Sequence, residues 1–416
     1  MNESKTTSGG NVASSRLSAE YWRFWVASAV SNLGDGVRIA ALPLLTAQIT
    51  SSPFAVSVTT AAVGLPWVFF GPICGAIVDR YDRRKLMMYG QVVRGIAVTI
   101  LAVWVAYSTP PLIVIYLVAI VVGTGEIIVD TASQAAIPML APAGDAGLER
   151  ANGRLVAAQT LFDDVAGPPI GAALFAMAVA VPFVLDSATF VISALLLSLV
   201  RTPLQPERTK PTSSIRTDIV DGIVTLWKTP LLRNLAIGVG LINATLASTV
   251  SILVLFVRDV LRKPDPLFGL IIGIGAIGGF VGALVASKIV ERLGRRLTII
   301  SSIAVLGAAT ASLALANSVI ATIVLFTFLT FAVVVFNVSG QSLRQQASPP
   351  ETLGRVIASF RLIAFAGAPI GALLGGTVAE LFTIRTTFVA AGVFSIVPIS
   401  ILAKAAWSIP DTANDQ

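Results

Sequence analysis

Long uncharged stretches alternate with short polar breaks along the whole chain. Residues 39–78, 95–125 and 297–343 each run without a charged side chain for longer than one bilayer crossing, which takes about 20 apolar residues in a helix. Each run breaks at a turn signal: Thr50-Ser51-Ser52-Pro53, Ser108-Thr109-Pro110-Pro111 and Ala316-Asn317-Ser318. Shorter uncharged runs over 165–185, 234–257, 266–287, 362–379 and 386–403 supply further crossings. The pattern predicts an all-α polytopic membrane protein with twelve transmembrane helices near 22–48, 54–79, 86–107, 112–136, 148–179, 182–200, 231–257, 266–290, 297–315, 319–343, 353–380 and 385–406.

Basic residues fall on alternate connections. Arg80, Arg83, Arg84 and Lys85, then Arg150, then Arg201, Arg208 and Lys210, then Arg292, Arg295 and Arg296, then Arg344 and Arg355 occupy the even-numbered ones. The odd-numbered connections near 50, 109, 180 and 317 carry no charge, 258–265 is mixed, and the last has Glu380 and Arg385. The bias toward Lys and Arg on the inner side places both termini in the cytoplasm, in a cell or inner membrane. No cleavable leader is visible, because residues 1–15 are polar and the first apolar run is a full span. The expected domains are a tail over 1–21, a six-helix half over 22–200, a linker over 201–230, a second half over 231–406 and a tail over 407–416. Within the linker, Ile219, Val220, Ile223, Leu226 and Trp227 fall at helical spacing, as in an amphipathic helix on the inner leaflet.

Composition agrees and removes several chemistries. Of 416 residues 55% are hydrophobic and only 12% charged, about half the charge of a soluble domain. There is no histidine and one cysteine, Cys74. A His-based triad, a histidine metal site and an intramolecular disulfide are therefore excluded, and no metal or cofactor is expected. The net charge of +7 reflects basic inner loops, not nucleic-acid binding. No GxxxxGK[ST] loop is present for ATP, and no nucleophile–base constellation suggests an enzyme.

The two halves repeat each other. Gly75-Ala-Ile-Val-Asp79-Arg80-Tyr-Asp82-Arg83-Arg84 after the second helix matches Ser287-Lys-Ile-Val-Glu291-Arg292-Leu-Gly294-Arg295-Arg296 after the eighth. Ala166-Gly167-Pro168-Pro169-Ile170-Gly171-Ala172 in the fifth mirrors Ala366-Gly367-Ala368-Pro369-Ile370-Gly371-Ala372 in the eleventh. Like-oriented halves place a cavity between them at mid-depth, worked by rocking. The first loop resembles the signature of the major facilitator superfamily, and Gly167–Gly171 resembles the fifth-helix motif of its antiporters. Ser31-Asn-Leu-Gly34-Asp35-Gly36, Leu42-Pro43-Leu44-Leu45 and Pro230-Leu-Leu-Arg233 resemble the bacterial drug:proton antiporter group that contains macrolide efflux proteins, Tap-like pumps and the enterobactin exporter. Two positions depart from the pattern, Asp82 where the loop signature has Gly and Ser287 where the repeat would begin with one, and the fourth helix also lacks the basic residue common in many proton antiporters. The resemblance implies that Gly75, Asp79, Arg80, Arg83 and Arg84 form a cytoplasmic gate in which Asp79 binds a neighbouring helix terminus. Gly167, Pro168, Pro169, Gly171, Gly367, Pro369 and Gly371 allow close helix approach and bending, alike in both halves.

Charges within the spans mark candidate chemistry, since a charge at the bilayer centre costs at least about 2.5–3.5 kcal/mol. At 1.5 Å per residue, Asp35, Glu126, Asp163 and Asp164 all lie about 20 Å into their helices. Asp35 and Arg38 share a face, as do Glu126 and Asp130. These six residues are the expected proton-coupling or substrate cavity, with a structural ion pair as the alternative for Asp35–Arg38. Asp163 and Asp164 point about 100° apart, and one of them is expected to partner Arg154, Arg94 or Arg361. Asp186, near the far end of the sixth helix, is expected to be solvated or a packing group. Aromatics such as Trp67, Phe69 and Phe70 are candidates to line the cavity. The implied function is proton-coupled export of an amphipathic organic compound by a monomer in the lipid bilayer. A dedicated natural-product or siderophore exporter and a solute facilitator or importer remain open.

Overall fold

Proline and small polar residues start the helices where the sequence breaks. The computed structural model describes residues 17–142, 145–205, 223–347 and 353–406. The tails over 1–16 and 407–416 and most of the linker, 206–222, lie outside the described residues. So does the first part of the expected amphipathic helix, with Ile219 and Val220. Its last turn, 223–228, is helical, with Leu226 buried and Trp227 exposed.

The N-terminal helices are α1 (Ala19–Ile49), α2 (Pro53–Arg80), α3 (Arg83–Tyr107) and α4 (Leu112–Leu140). Next come α5 (145–177) and α6 (Val181–Ser198). α5 joins Asp145–Gln159, a π-helical turn Thr160–Ala166 and Gly167–Met177 without leaving helical backbone angles. α7 (Pro230–Leu255) ends in a second π-turn, Phe256–Val260. The segment Pro266–Ser312 breaks at Gly294, where φ is 74°, giving α8 (266–293) and α9 (295–312). α10 (Val319–Ala347) and α11 (Leu353–Leu381) follow, and α12 (384–406) has a one-residue interruption between Ile384–Phe394 and Ile396–Ala406.

Among the described residues nine segments are long and apolar enough to cross a membrane. One of them spans both α8 and α9, and the remaining two helices, α1 and α5, fall below that measure. The twelve expected helices are therefore all present. Side chains such as Phe69, Leu284, Ile320 and Phe328 are more than half exposed on the outer surface, far beyond the apolar patches a water-soluble monomer tolerates, as a lipid-facing belt requires.

With an even number of helices, the start of α1 and the end of α12 lie on one face, called here the near face. The repeated loop is built differently in each half. Asp82 caps α3, its carboxylate accepting from the N–H groups of Arg84 and Lys85 at 2.9 and 3.3 Å. Its counterpart Gly294 instead turns the chain with a positive φ. The departure at Asp82 thus substitutes a side-chain cap for a glycine turn.

Gly167 and Gly171 let α5 lie directly on α1: a Cβ on either would come within 2.5 Å of the Gly36 or Val37 backbone. Gly367 and Gly371 do the same for α11 against Gly240 and Ala244 of α7. The close approach is common to both halves. The π-turn is not, because α11 runs as uninterrupted α-helix through Pro369.

Candidate functional site

The apolar core of the N-terminal half is interrupted at mid-depth. One cluster gathers Tyr21, Phe24, Met87, Leu140 and Leu197 toward the near face. A second takes in Leu42, Leu45, Leu101, Val122 and Phe183 toward the far face. Between them lies a polar layer drawn from α1, α3, α4 and α6.

Two glycines beside Asp35 explain why this layer can form. A Cβ at Gly34 would stand 2.6 Å from an Asp186 oxygen, and one at Gly36 would stand 2.6 Å from the Asp163 carbonyl. Helix α6 and the π-turn of α5 therefore press against α1 on either side of Asp35. Gly125 does the same for α3, since a Cβ there would meet the Arg94 stem at 2.6 Å.

Asp35 accepts from two guanidinium groups, Arg38 at 2.6 Å and Arg94, through the same Oδ1. Arg38 also lies 3.2 Å from Glu126 and 3.3 Å from Asp186, and Arg94 lies 3.9 Å from Glu126. The Arg94 guanidinium sits 4.2 Å over the Phe190 ring and donates to Gln91 Oε1 at 3.3 Å. Gln91 in turn donates to Ser31 and Ser193 at 2.9 and 3.1 Å. Arg38, Arg94 and Asp186 are almost wholly buried, while the Glu126 side chain keeps 27% of its surface. Glu126 is the member of the ion cluster most open to the surroundings.

The network joins Asp35, Arg38 and Glu126. Asp130 and Asp163 are half-buried, and among the described residues neither has an ion-pair partner within 4 Å. An Asp163 oxygen is buried with no hydrogen-bond partner. Asp164 is exposed, which fits its turn of about 100° from Asp163.

One expectation needs correction. Neither Asp163 nor Asp164 pairs with the three arginines proposed: Arg94 belongs to Asp35, Arg154 stacks on Trp22 at 4.9 Å, and Arg361 is exposed. Of the two alternatives for Asp186 the structure has the packed one: it has no exposed surface and contacts Arg38, because Gly34 lets α6 come close. Sequence reasoning named Arg94 only as a partner for Asp163 or Asp164 and left Asp186 outside the cavity; both belong to the cluster at Asp35. A lone arginine in the otherwise apolar Val92–Val105 stretch was the available signal.

At the near face Asp79 and Arg80 are exposed, and a Cβ at Gly75 would meet nothing within 4 Å. Arg83 donates to the Ala135 carbonyl at 2.9 Å and Arg84 to that of Val200 at 2.6 Å, so both fasten helices of their own half. Trp67 of α2 packs on Phe365 of α11, ring centroids 5.0 Å apart, while Phe69 and Phe70 are exposed. In the C-terminal half the helix interiors at the same depth carry hydroxyls such as Thr245, Ser248 and Thr249 and no comparable ion cluster among the described residues.

Comparisons with known proteins agree with this architecture. The chain is 27% identical over 372 residues to the multidrug efflux pump Tap of Mycolicibacterium fortuitum, covering 88% of this chain and 90% of that protein. Among solved structures, a point variant of the nucleoside transporter NupG superposes with a TM-score of 0.80 at 13% identity, covering 92% of this chain and 99% of that one. A bacterial homologue of the iron transporter ferroportin, at 16% identity, covers 93% of this chain and 98% of its own inward-facing form. Its TM-score is 0.73 in that form and 0.61 in its outward-facing form. These are transporters of the major facilitator fold, not enzymes, and they share this chain's bilayer-spanning helices. The profile described as transmembrane secretion effector matches residues 13–416, nearly the whole length over which the helices, the repeat and the polar layer extend, and the chain belongs to that family of multi-pass membrane transporters.

Proposed function

We propose that the protein is a proton-coupled exporter of amphipathic organic compounds, working by alternating access with both termini in the cytoplasm. The buried ion cluster around Asp35 carries this reading. Two guanidinium groups stand among three contacting carboxylates, Asp35, Glu126 and Asp186, and Asp130 and Asp163 lie nearby without cationic partners. Net charge in hydrocarbon is costly, so the surplus is neutralised by a proton or a cationic group. Glu126, the most accessible member, is the point at which such a charge enters. Exchange of Arg38 among its three carboxylates would pass that event to α1, α4 and α6 together. The likeness to Tap supports efflux of drugs over uptake.

The test is pH-gradient-driven uptake into inverted vesicles, using a panel of macrolides, tetracyclines, dyes and siderophores. Wild type should accumulate several of them, lose that on adding a protonophore, and lose it in Glu126→Gln. Accumulation of one compound alone would make the protein a dedicated exporter. Transport that follows only the substrate gradient, with the variant unimpaired, would make it a facilitator and the cluster a structural element.

A further inference from the structure

The halves meet along the far parts of their contacting helices. A Cβ at Gly376 of α11 would stand 2.0 Å from Ser57 Oγ of α2, and one at Gly269 of α8 would stand 2.3 Å from the Pro168 carbonyl of α5. Closer to the near face, added Cβ atoms at Gly71 and Gly75 of α2 would find nothing within 4 Å among the described residues. The far face is shut, and what fastens it is polar.

Glu380, at the far end of α11, accepts from Ser52 Oγ at 2.8 Å and from the Phe54 N–H at 3.2 Å. Ser52 is the N-cap of α2, and Phe54 is one of the first-turn N–H groups that has no partner inside its own helix. Arg258, in the π-turn that ends α7, donates to the Ala47 carbonyl near the end of α1. The last hydrogen bond of α1 closes on Thr46, so the Ala47 carbonyl is the first left without an intrahelical donor.

We propose that Glu380 and Arg258 form a two-point latch holding the far face closed, each binding the oppositely poled end of a helix in the other half. An acid at a helix N-terminus and a base at a C-terminus are both favourable to the helix dipole. Because α1 and α2 are joined through Thr50–Ser52, the C-terminal half grips one turn of the N-terminal half from two sides. That turn carries no charge of its own, so its free backbone groups supply the polarity. Arg385, the other basic residue in the last connection, donates to Ala314 and Asn317 within its own half and takes no part. Breaking the two contacts is the step that frees the far face to open. The inference rests on the halves rocking, not on what is carried or on proton coupling.

Spin-label distances measured in lipid nanodiscs, in a Cys74→Ala background, test the latch. Labels at Tyr107→Cys and Leu315→Cys span the far face, and labels at Tyr81→Cys and Leu293→Cys span the near face; all four positions are exposed. Glu380→Ala and Arg258→Ala should each raise the far-open population about two- to fivefold, with a matching shortening at the near face. Glu380→Gln should fall between Ala and wild type. Distributions that superimpose on wild type in all three variants overturn the proposal, as does far-face widening without near-face closure. If a variant does not fold, Ser52→Cys with Glu380→Cys decides. Once oxidised it should hold the far-face distance short, and reduction should restore the far-open fraction. A pair that never cross-links, or that opens while cross-linked, rejects the latch.

Discussion

Arg94 and Arg38 divide three carboxylates between them, and each depends on the others for its place in the membrane. Arg94 has only 1% of its surface exposed, and a buried pair broken on one side costs about 3–5 kcal/mol because the remaining charge is left uncompensated. Arg94→Ala is therefore expected to lower thermal stability in detergent by that order, and Arg94→Ala with Asp35→Ala to recover part of the loss. The same reasoning makes Asp35 a poor choice for isolating coupling, since Asp35→Asn disturbs two guanidinium contacts at once. Glu126 is cleaner: its contacts are longer and its side chain partly accessible. Depth counting placed Asp35, Glu126 and Asp163 at a common level, but it gave no azimuth. Whether Arg94 turns to Asp35 or to Asp163 is fixed by the glycines that set helix contact, and the sequence, though it shows Gly34 and Gly36 beside Asp35, does not say which helices they admit.

At the scale of elements, the repeated loop shows one backbone task solved in two ways. In the first half a carboxylate caps the incoming helix, and in the second a glycine adopts φ 74° and ψ 157°. Such a conformation is essentially restricted to glycine and costs other residues about 1–3 kcal/mol. Gly294→Ala should destabilise the protein by that order in a denaturation series. An unchanged midpoint would show that the junction relaxes to ordinary angles. Helix boundaries were legible to within a few residues because turn residues and charge end each apolar run. The π-turn over Thr160–Ala166 was not legible, since it keeps helical angles and differs only in how the hydrogen bonds step. It brings the Asp163 carbonyl to 2.6 Å from a Cβ at Gly36, closer than the 3.0 Å between a Cβ at Gly240 and the Ile363 carbonyl at the matching place in the second repeat.

For the whole molecule, like halves carry unlike chemistry: the ion cluster belongs to the N-terminal half, and the C-terminal half supplies Glu380 and Arg258, the two charges that reach across at the far face. Asp79 is exposed, and the gate role proposed for it would engage a helix partner only when the near face closes. Asp79→Asn is accordingly expected to slow transport severalfold while leaving the unfolding temperature unchanged. A normal rate in vesicles would remove Asp79 from gating.

Sequence alone determined the membrane spans, the turns between them, the internal repeat and the exclusion of histidine-based chemistry. It could do so because hydrocarbon demands about 20 apolar residues per crossing and admits no unsatisfied backbone. The same cost obliges a buried charge to find a partner, yet it is indifferent to which one. That choice belongs to tertiary structure, where close approach at Gly34, Gly36 and Gly125 joins Asp35 to Arg94 and Asp186 to Arg38 and leaves Asp163 unpaired. Tertiary structure also decides which face is shut, because the latch binds backbone groups at helix ends, and these carry the same polarity whatever side chains surround them.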